Sequence, residues 1–255
     1  MVIDLTIQTY VLLFITGLCS GFVDSIAGGG GLIALPVLFS VGLPPDIALG
    51  TNKLQGSFGT FSASYNYIKK GVVKLDESLT GILFTLFGAI LGAVTIQHME
   101  VEFIKGLIPI LLFFVFIYTL FSKDLGHGSS NPKISQQLFF LLFGLGLGFY
   151  DGFFGPGTGS FWTAALLIFL GLDMKKASGI TRIMNFTSNI VALIVFIIGG
   201  KVLYSAGFCM AAGQIMGARA GSSLAIKKGV GFIRPVFLIV VFLTITRLAY
   251  LTYFV

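Results

Sequence analysis

Two glycine-rich stretches, DSIAGGGG at 24–31 and DGFFGPGTG at 151–159, interrupt apolar segments and decide how the fold is interpreted. Each is followed by an apolar segment, 32–41 or 160–170, that is shorter than the roughly 20 residues needed to span a bilayer. Irregular backbone at membrane depth is tolerated only where it is buried in protein or lines a wet cavity. The two stretches therefore predict a pair of broken helical hairpins inside a membrane protein.

The composition indicates that lipid surrounds most of the surface. Hydrophobic residues make up 56% of the chain, charged residues make up 10%, and the mean hydropathy is +0.98. A soluble domain has about 25% charged residues. The net charge of +6 is compatible with nucleic-acid binding, but the cations fall mostly in short loops between apolar segments. The bilayer is therefore the expected partner, and no nucleic acid is expected.

Apolar segments divide the chain into two halves joined by a polar linker. They lie at 6–22, 32–41, 47–68, 78–97 and 101–121, and then at 135–150, 160–170, 176–198, 204–226 and 233–254. Six of these segments reach the length of a spanning helix. We therefore predict an all-α polytopic membrane protein with a first membrane repeat at 1–121, a linker at 122–134 and a second repeat at 135–255.

The two halves match each other in order along the chain. An offset of 127 residues pairs Asp24 with Asp151, together with several glycines on either side of them. After a slip of two residues, an offset of 129 pairs Lys53 with Arg182. Internal repeats of this kind are the usual construction of secondary transporters.

The positions of the lysines predict how the halves are oriented. If each short segment forms a hairpin with the helix before it, each half adds three spans and the halves are inverted. One side then carries Lys69, Lys70, Lys74, Lys123, Lys133, Lys175, Lys176, Lys227 and Lys228, and the other carries Lys105 and Lys201. If each broken pair instead crosses once, this asymmetry nearly vanishes. The positive-inside rule therefore favours inverted repeats, each a hairpin plus three spanning helices, with both termini outside the cytoplasm.

Both glycine-rich stretches are candidates for binding an anion. Glycine allows backbone N–H groups to approach a ligand closely, and helices that restart at Leu32 and Ser160 would direct their positive ends at one point. The candidate binding residues are Gly28, Gly29, Gly30, Gly31, Gly155, Gly157 and Thr158. The alternative is that these glycines only allow helices to cross closely. No Gly-Lys-Ser/Thr follows either stretch, so a nucleotide-binding loop is not predicted.

Two cations lie within the predicted spans. Lys53 and Arg182 are each about two turns inside a helix, or roughly 10 Å from its end, which is too deep for easy contact with the interface. An intramembrane charge is a functional-site hypothesis by default. Asn52, Gln55 and Asn185 flank these cations and extend the candidate binding site.

Three further charged residues each have two interpretations. Asp24 and Asp151 are candidates for proton coupling, and the alternative is that they only form ion pairs with the two cations. Arg219 matches Ile90 at the 129-residue offset, so it has no charged counterpart in the first half. This asymmetry suggests a gate, and an interfacial or structural ion pair is an equally good interpretation.

The sequence predicts no catalytic residues, cofactor or metal site. His98 lies in a loop with Glu100 and Glu102, which is only a weak arrangement of metal ligands. No Ser/His/Asp set or other hydrolase pattern is present, and the carboxylates are isolated. The chain is therefore not expected to be an enzyme. A homo-oligomer is compatible with the sequence.

The glycine-rich stretches also carry a family resemblance. GFVDSIAGGGG at 21–31 with ALGTNK at 48–53, and GFYDGFFGPGTG at 148–159, resemble the two signatures of the TauE/SafE sulfite exporters, or toluenesulfonate uptake permeases. The resemblance covers nearly the whole chain. It implies a bacterial or archaeal inner-membrane permease for sulfur-containing anions such as sulfite, sulfonates or sulfoacetate. Members differ in substrate and direction, so neither is implied here.

The leading hypothesis is a secondary transporter for a small sulfur-containing oxyanion, driven by a gradient or a partner because no ATPase motif is present. Protons are a candidate coupling ion. One alternative is a structural membrane subunit, in which the paired breaks and buried cations would be dispensable. The other is an intramembrane enzyme acting on an anionic headgroup.

Cysteine labelling tests the predicted topology in a background without Cys19 and Cys209. In intact cells, cysteines placed at 69–74 or at 227–228 should be shielded from impermeant thiol reagents. Cysteines near Lys105 and Lys201 should react, because they lie on the side with few lysines. Labelling of both groups from outside would contradict the inverted arrangement.

Overall fold

The computed structural model describes residues 5–104 and 131–228, together with residues 106, 107, 110 and 114. Within these residues the chain is helical and contains no strand. The all-α prediction is therefore confirmed for this part of the chain. Most of the predicted segment 101–121, most of the linker and the whole segment 233–254 lie outside the described residues, as do Lys105 and Lys123.

Eight helices have bounds within the described part, and residues 101–104 are helical as well. They are α1 (Ile7–Ala27), α2 (Gly30–Ser40), α3 (Pro45–Lys69), α4 (Leu79–Gln97), α5 (136–153), α6 (Thr158–Leu170), α7 (Met174–Ile198) and α8 (Tyr204–Lys228). A 3₁₀ turn, Asp76–Ser78, precedes α4. Within α5, a π-helical stretch, Phe140–Gly144, joins the α-helical parts Gln136–Phe139 and Leu145–Phe153. The helix α1 continues beyond the predicted segment 6–22 and therefore includes Asp24.

Three helices in the described part are long and apolar enough to cross a bilayer: Ile7–Ile26, Asp76–Gln97 and Met174–Ile198. The 25-residue helices α3 and α8 were expected to qualify by length, but they are less apolar. They carry buried polar residues, among them Asn52 and Gln214, on faces turned into the protein. The helices α2 and α6 have 11 and 13 residues, too few to cross a hydrocarbon core about 30 Å thick.

Helices of the two halves pack against each other through glycines. The helix α1 lies along α8, and α4 lies along α5. A side-chain carbon on Gly217 would lie 2.0 Å from the Leu18 carbonyl oxygen, and one on Gly88 would lie 2.3 Å from the Leu145 carbonyl oxygen. The two glycines are 129 residues apart and the two leucines 127, so the same contact recurs at matching positions. These glycines therefore set the helix spacing.

The central helices α3 and α7 are antiparallel. Both have 25 residues, and their first residues are 129 positions apart. Gly50, near the start of α3, faces the Lys201 carbonyl just after α7, whereas Gly179, near the start of α7, faces Tyr67 at the end of α3. An ion pair of 2.8 Å joins Lys176 at the start of α7 to Glu77 in the loop after α3. The α3–α4 loop and the start of α7 therefore lie at the same end of the molecule.

The two helical breaks meet near the centre of the molecule. The helix α1 ends where Gly28 adopts a left-handed conformation, with φ of 75°. In the other half, Gly155 and Gly157 have φ of 101° and 82°. Residues with a side chain rarely adopt such angles, which explains why glycine occupies these positions. The Ser160 hydroxyl donates a 3.1 Å hydrogen bond to the Gly28 carbonyl and thereby links the two breaks.

Two substitutions on α5 test whether glycines hold α4 and α5 together. Gly148→Ala should lower the melting temperature of the detergent-purified protein, because its added carbon would lie 2.6 Å from the Thr85 carbonyl oxygen. Such over-packing costs about 1–3 kcal/mol. Gly146→Ala is the matched control, since nothing lies within 4 Å of its added carbon. Equal stability of the two variants would contradict this packing.

Candidate functional site

Lys53 and Arg182 are buried side chains on the two central helices. Each is the ninth residue of its helix, α3 or α7. Their exposed fractions are 1% and 0%. A buried charge is stable only when it is paired and hydrogen-bonded. The contacts of these two cations therefore define the site.

Lys53 is tied closely to Asp151 of the other half. Its Nζ lies 2.8 Å from Asp151 Oδ1, and it also donates a hydrogen bond to the Asp151 main-chain carbonyl. The second carboxylate oxygen accepts a hydrogen bond from the Ser188 hydroxyl. Both oxygens of the carboxylate are thus engaged, and only 5% of the Asp151 side chain is exposed. Lys53 and Asp151 therefore form a buried ion pair in which both carboxylate oxygens have a hydrogen-bond partner.

Arg182 is tied more loosely to Asp24. Its Nη1 donates to the Asp24 main-chain carbonyl, but it lies 3.6 Å from Asp24 Oδ2, which is too far for a normal hydrogen bond. Asp24 Oδ1 instead accepts a 3.1 Å hydrogen bond from the Gly30 N–H. Among the described residues, the buried Nε and Nη2 of Arg182 have no hydrogen-bond partner. Arg182 therefore retains donors that an additional acceptor could satisfy.

A cavity of about 30 Å³ lies between the two breaks and the central helices. It is lined by Asp24, Gly28, Gly30, Gly31, Asn52, Lys53, Gln55, Gly56, Asp151, Gly155, Gly157, Thr158, Gly159, Asn185, Asn189 and Gln214. The volume is enough for a very small ligand or one to two waters. The structure thus brings most of the predicted binding residues to one place.

Three predicted residues do not line this cavity. Gly29 precedes the first residue of α2 and is absent from the lining. Arg182 lies just beside it, because its Nη2 would be 2.9 Å from a side-chain carbon placed on the cavity residue Gly159. Arg219 is exposed on α8 and lies apart from the cavity, so a gating role stays a prediction.

Four cavity residues were not in the predicted site: Gly56, Gly159, Asn189 and Gln214. Helical spacing could have suggested Asn189, which lies one turn after Asn185 on the same face of α7. Gly159 ends the second glycine-rich stretch. No sequence signal pointed to Gln214, because it reaches the site only through the packing of α8 on α3.

The glycines make room for the charged groups as well as for the turns. A side-chain carbon on Gly155 would lie 2.7 Å from Lys53 Nζ and 2.8 Å from Asp151 Oδ1. The first residues of α2 and α6, Gly30 and Thr158, both line the cavity. The positive ends of two helices and two cations are therefore close together, an arrangement that favours an anion.

Comparison with known proteins agrees with this geometry. The family profile described as Sulfite exporter TauE/SafE matches residues 13–248. The chain belongs to the TauE/SafE family. It is 40% identical over 247 residues, 97% of each chain, to a probable membrane transporter protein of Haemophilus influenzae. It is 40% identical over 239 residues to the probable membrane transporter protein YfcA of Escherichia coli, covering 94% of this chain and 89% of the relative.

A third relative is the probable membrane transporter protein ORF9 of a Sinorhizobium species, 39% identical over 237 residues, or 93% of this chain and 91% of the relative. No solved structure matches the chain significantly. The TauE/SafE membership, these relatives and the apolar helices together identify the chain as a membrane transporter.

The unequal pairing of the two cations in this TauE/SafE protein predicts unequal effects on stability. Asp151→Asn should destabilise the purified protein by about 3–5 kcal/mol, because it leaves the Lys53 ammonium buried without a counter-charge. Asp24→Asn should cost less, since Arg182 keeps its hydrogen bond to the Asp24 carbonyl. Thermal unfolding measures both, and Lys53→Gln/Asp151→Asn should recover part of the loss. Equal costs for the two single variants would contradict the asymmetry.

Proposed function

We propose that this chain is a secondary transporter that moves a small sulfur-containing anion, such as sulfite or an organosulfonate, across the inner membrane. The observation that carries the proposal is the buried Arg182, whose Nε and Nη2 lack partners among the described residues beside a polar cavity. Arginine can hold an oxyanion with two parallel donors. The family description, sulfite exporter, supports the chemical class of the substrate.

The second part of the proposal is that two inverted membrane repeats, 1–121 and 135–255, move against each other around this site. The antiparallel directions of α3 and α7 support it, as does the recurrence of the Gly88 and Gly217 contacts. Both ion pairs at the site join one half to the other. Secondary transporters commonly place the substrate site at such a repeat interface. The distribution of lysines supports termini outside the cytoplasm.

The two cations have different roles in this proposal. Lys53 is held by Asp151, so it acts mainly as a fixed positive charge that joins the halves. Arg182 is the cation available to bind the substrate, with the polar groups of Asn185 and Gln55 nearby in the cavity wall. The backbone of the glycine-rich breaks lies around the same space and lets a ligand approach closely.

We also propose proton coupling through Asp24. The charged groups that act on Asp24 are Arg182 and Asp151, and with Lys53 the site contains two cations and two carboxylates. A substrate anion adds a negative charge to a site that is already balanced, and protonation of one carboxylate offsets it. Asp24 is better suited than Asp151 because its side chain is 15% exposed and is held less tightly.

Arg182 variants test the proposal. In purified protein, Arg182→Gln should abolish the rise in melting temperature that sulfite produces in the wild type, and Arg182→Lys should weaken it, because lysine lacks the two-donor geometry. Lys53→Gln should raise the transport KM or abolish flux. Uptake of labelled sulfite into proteoliposomes measures transport. Arg219→Gln is the control for binding, because that arginine is exposed and lies apart from the cavity.

Double variants separate substrate binding from simple ion pairing. If Arg182 only neutralises Asp24, then Arg182→Gln/Asp24→Asn should regain sulfite binding and flux. Recovery in this variant would refute a binding role for Arg182. A wild-type protein that neither binds nor carries sulfite or sulfonates would refute the proposed substrate class.

A further inference from the structure

The surroundings of Asp151 and of Asp24 differ at one position that the 129-residue offset matches. On one side, the Ser188 hydroxyl donates to the carboxylate of Asp151. The residue 129 positions before Ser188 is Gly59, which has no side chain to offer Asp24. The space beside Gly59 is filled by Gln214 of α8: a side-chain carbon on Gly59 would lie 2.3 Å from Gln214 Cγ and 2.7 Å from its Nε2.

Gln214 also departs from the repeat pattern. The residue 129 positions earlier is Thr85, a buried hydroxyl that contacts the Met184 sulfur at 3.4 Å and does not line the cavity. Gln214 is 1% exposed and lines the cavity, and its Oε1 has no partner among the described residues. One half therefore places an amide where the other has a small hydroxyl.

Two more residues that line the cavity also have an amide oxygen without a hydrogen-bond partner. Gln55 Oε1 and Asn185 Oδ1 are buried and have no partner among the described residues. The orientation of Gln55 is set by its amide nitrogen, which donates a 2.8 Å hydrogen bond to Asn52 Oδ1. Three residues that line the cavity therefore carry unpaired amide oxygens, and the unpaired donors of Arg182 lie beside the cavity.

An oxyanion without a hydroxyl satisfies the donors of Arg182 but not the amide oxygens. Its oxygens accept from Arg182, but it supplies no proton to the amide oxygens. A buried polar group left unpaired costs about 1–3 kcal/mol. A ligand that has both an anionic oxygen and a hydroxyl accepts from Arg182 and also donates to one of the three amide oxygens. The small cavity favours a compact ligand, and the balanced charges favour a single negative charge.

We infer that the site selects compact monovalent oxyanions that carry a hydroxyl group, such as hydrogensulfite, and that Gln214 Oε1 accepts the hydrogen bond from that hydroxyl. This inference rests on the proposed function, since it concerns the same anion and the same Arg182. It assigns Gln214 as a specificity-determining residue. Sites built to hydrogen-bond a substrate hydroxyl discriminate strongly against analogues that lack it.

Matched ligand pairs isolate the contribution of the hydroxyl. Hydroxymethanesulfonate and ethanesulfonate have the same number of heavy atoms and the same single charge, and they differ only in a hydroxyl or a methyl group. Hydrogencarbonate and acetate form a second, smaller pair. Calorimetry on the purified wild-type protein should show about ten-fold tighter binding of the hydroxyl member, as expected for one unpaired buried acceptor.

Gln214→Met keeps the length of the side chain and removes its amide oxygen. In this variant the preference for the hydroxyl member should fall to about one, with binding of ethanesulfonate retained. Gln137→Met is the matched control, because Gln137 is exposed at the start of α5 and does not line the cavity, so it should keep the wild-type preference.

The outcomes separate this inference from the proposed function. Equal affinity of the wild type for both members of each pair would overturn the selectivity and leave anion transport standing. An unchanged preference in Gln214→Met would remove Gln214 from the role. If the wild type binds neither sulfonate nor hydrogensulfite, the proposed function itself fails and the inference fails with it. The wild-type comparison remains decisive if the variant does not fold.

Discussion

The burial of two cations near the middle of the helical bundle constrains the rest of this structure. Lys53 and Arg182 are inaccessible to solvent, and a buried charge without a counter-charge is strongly unfavourable. Neither helix that carries a cation supplies its carboxylate. Each cation is instead paired with an aspartate of the other half, so α1 and α5 must end beside α7 and α3. The halves are therefore joined electrostatically as well as by packing.

The glycine-rich breaks follow from this constraint. The aspartates lie within the last turn of α1 and α5, so the chain must turn sharply where the charged groups are most crowded. A side chain on Gly155 or Gly159 would collide with Lys53 or Arg182. The glycines of the two stretches thus allow left-handed turns at Gly28, Gly155 and Gly157, close contact of Gly28 with Gly159, and exposure of backbone to a small cavity. The packing and binding interpretations of these stretches are therefore compatible.

The surroundings of Asp151 and of Asp24 differ. Asp151 is fully engaged by Lys53 and Ser188, whereas Arg182, beside Asp24, has two nitrogens without a hydrogen-bond partner among the described residues. In the proposed transporter, the complete ion pair holds the structure while the incomplete one exchanges the ligand. Gly59 lacks the hydroxyl that Ser188 has at the matching position, and the Gln214 amide fills the space beside Gly59.

The sequence by itself determined the class of the protein and most of the residues that line the cavity. The scarcity of charged residues indicated that lipid surrounds the protein, and the two glycine-rich stretches marked both helix breaks. The offsets between the halves matched Lys53 to Arg182 and Asp24 to Asp151. Local composition and order along the chain carry this information. The tertiary structure decided how the four charges pair, that one pair is tight and the other loose, and that Gln214 reaches the cavity. Those features depend on distances between residues about 100 to 160 positions apart, which helix packing sets and no local pattern encodes.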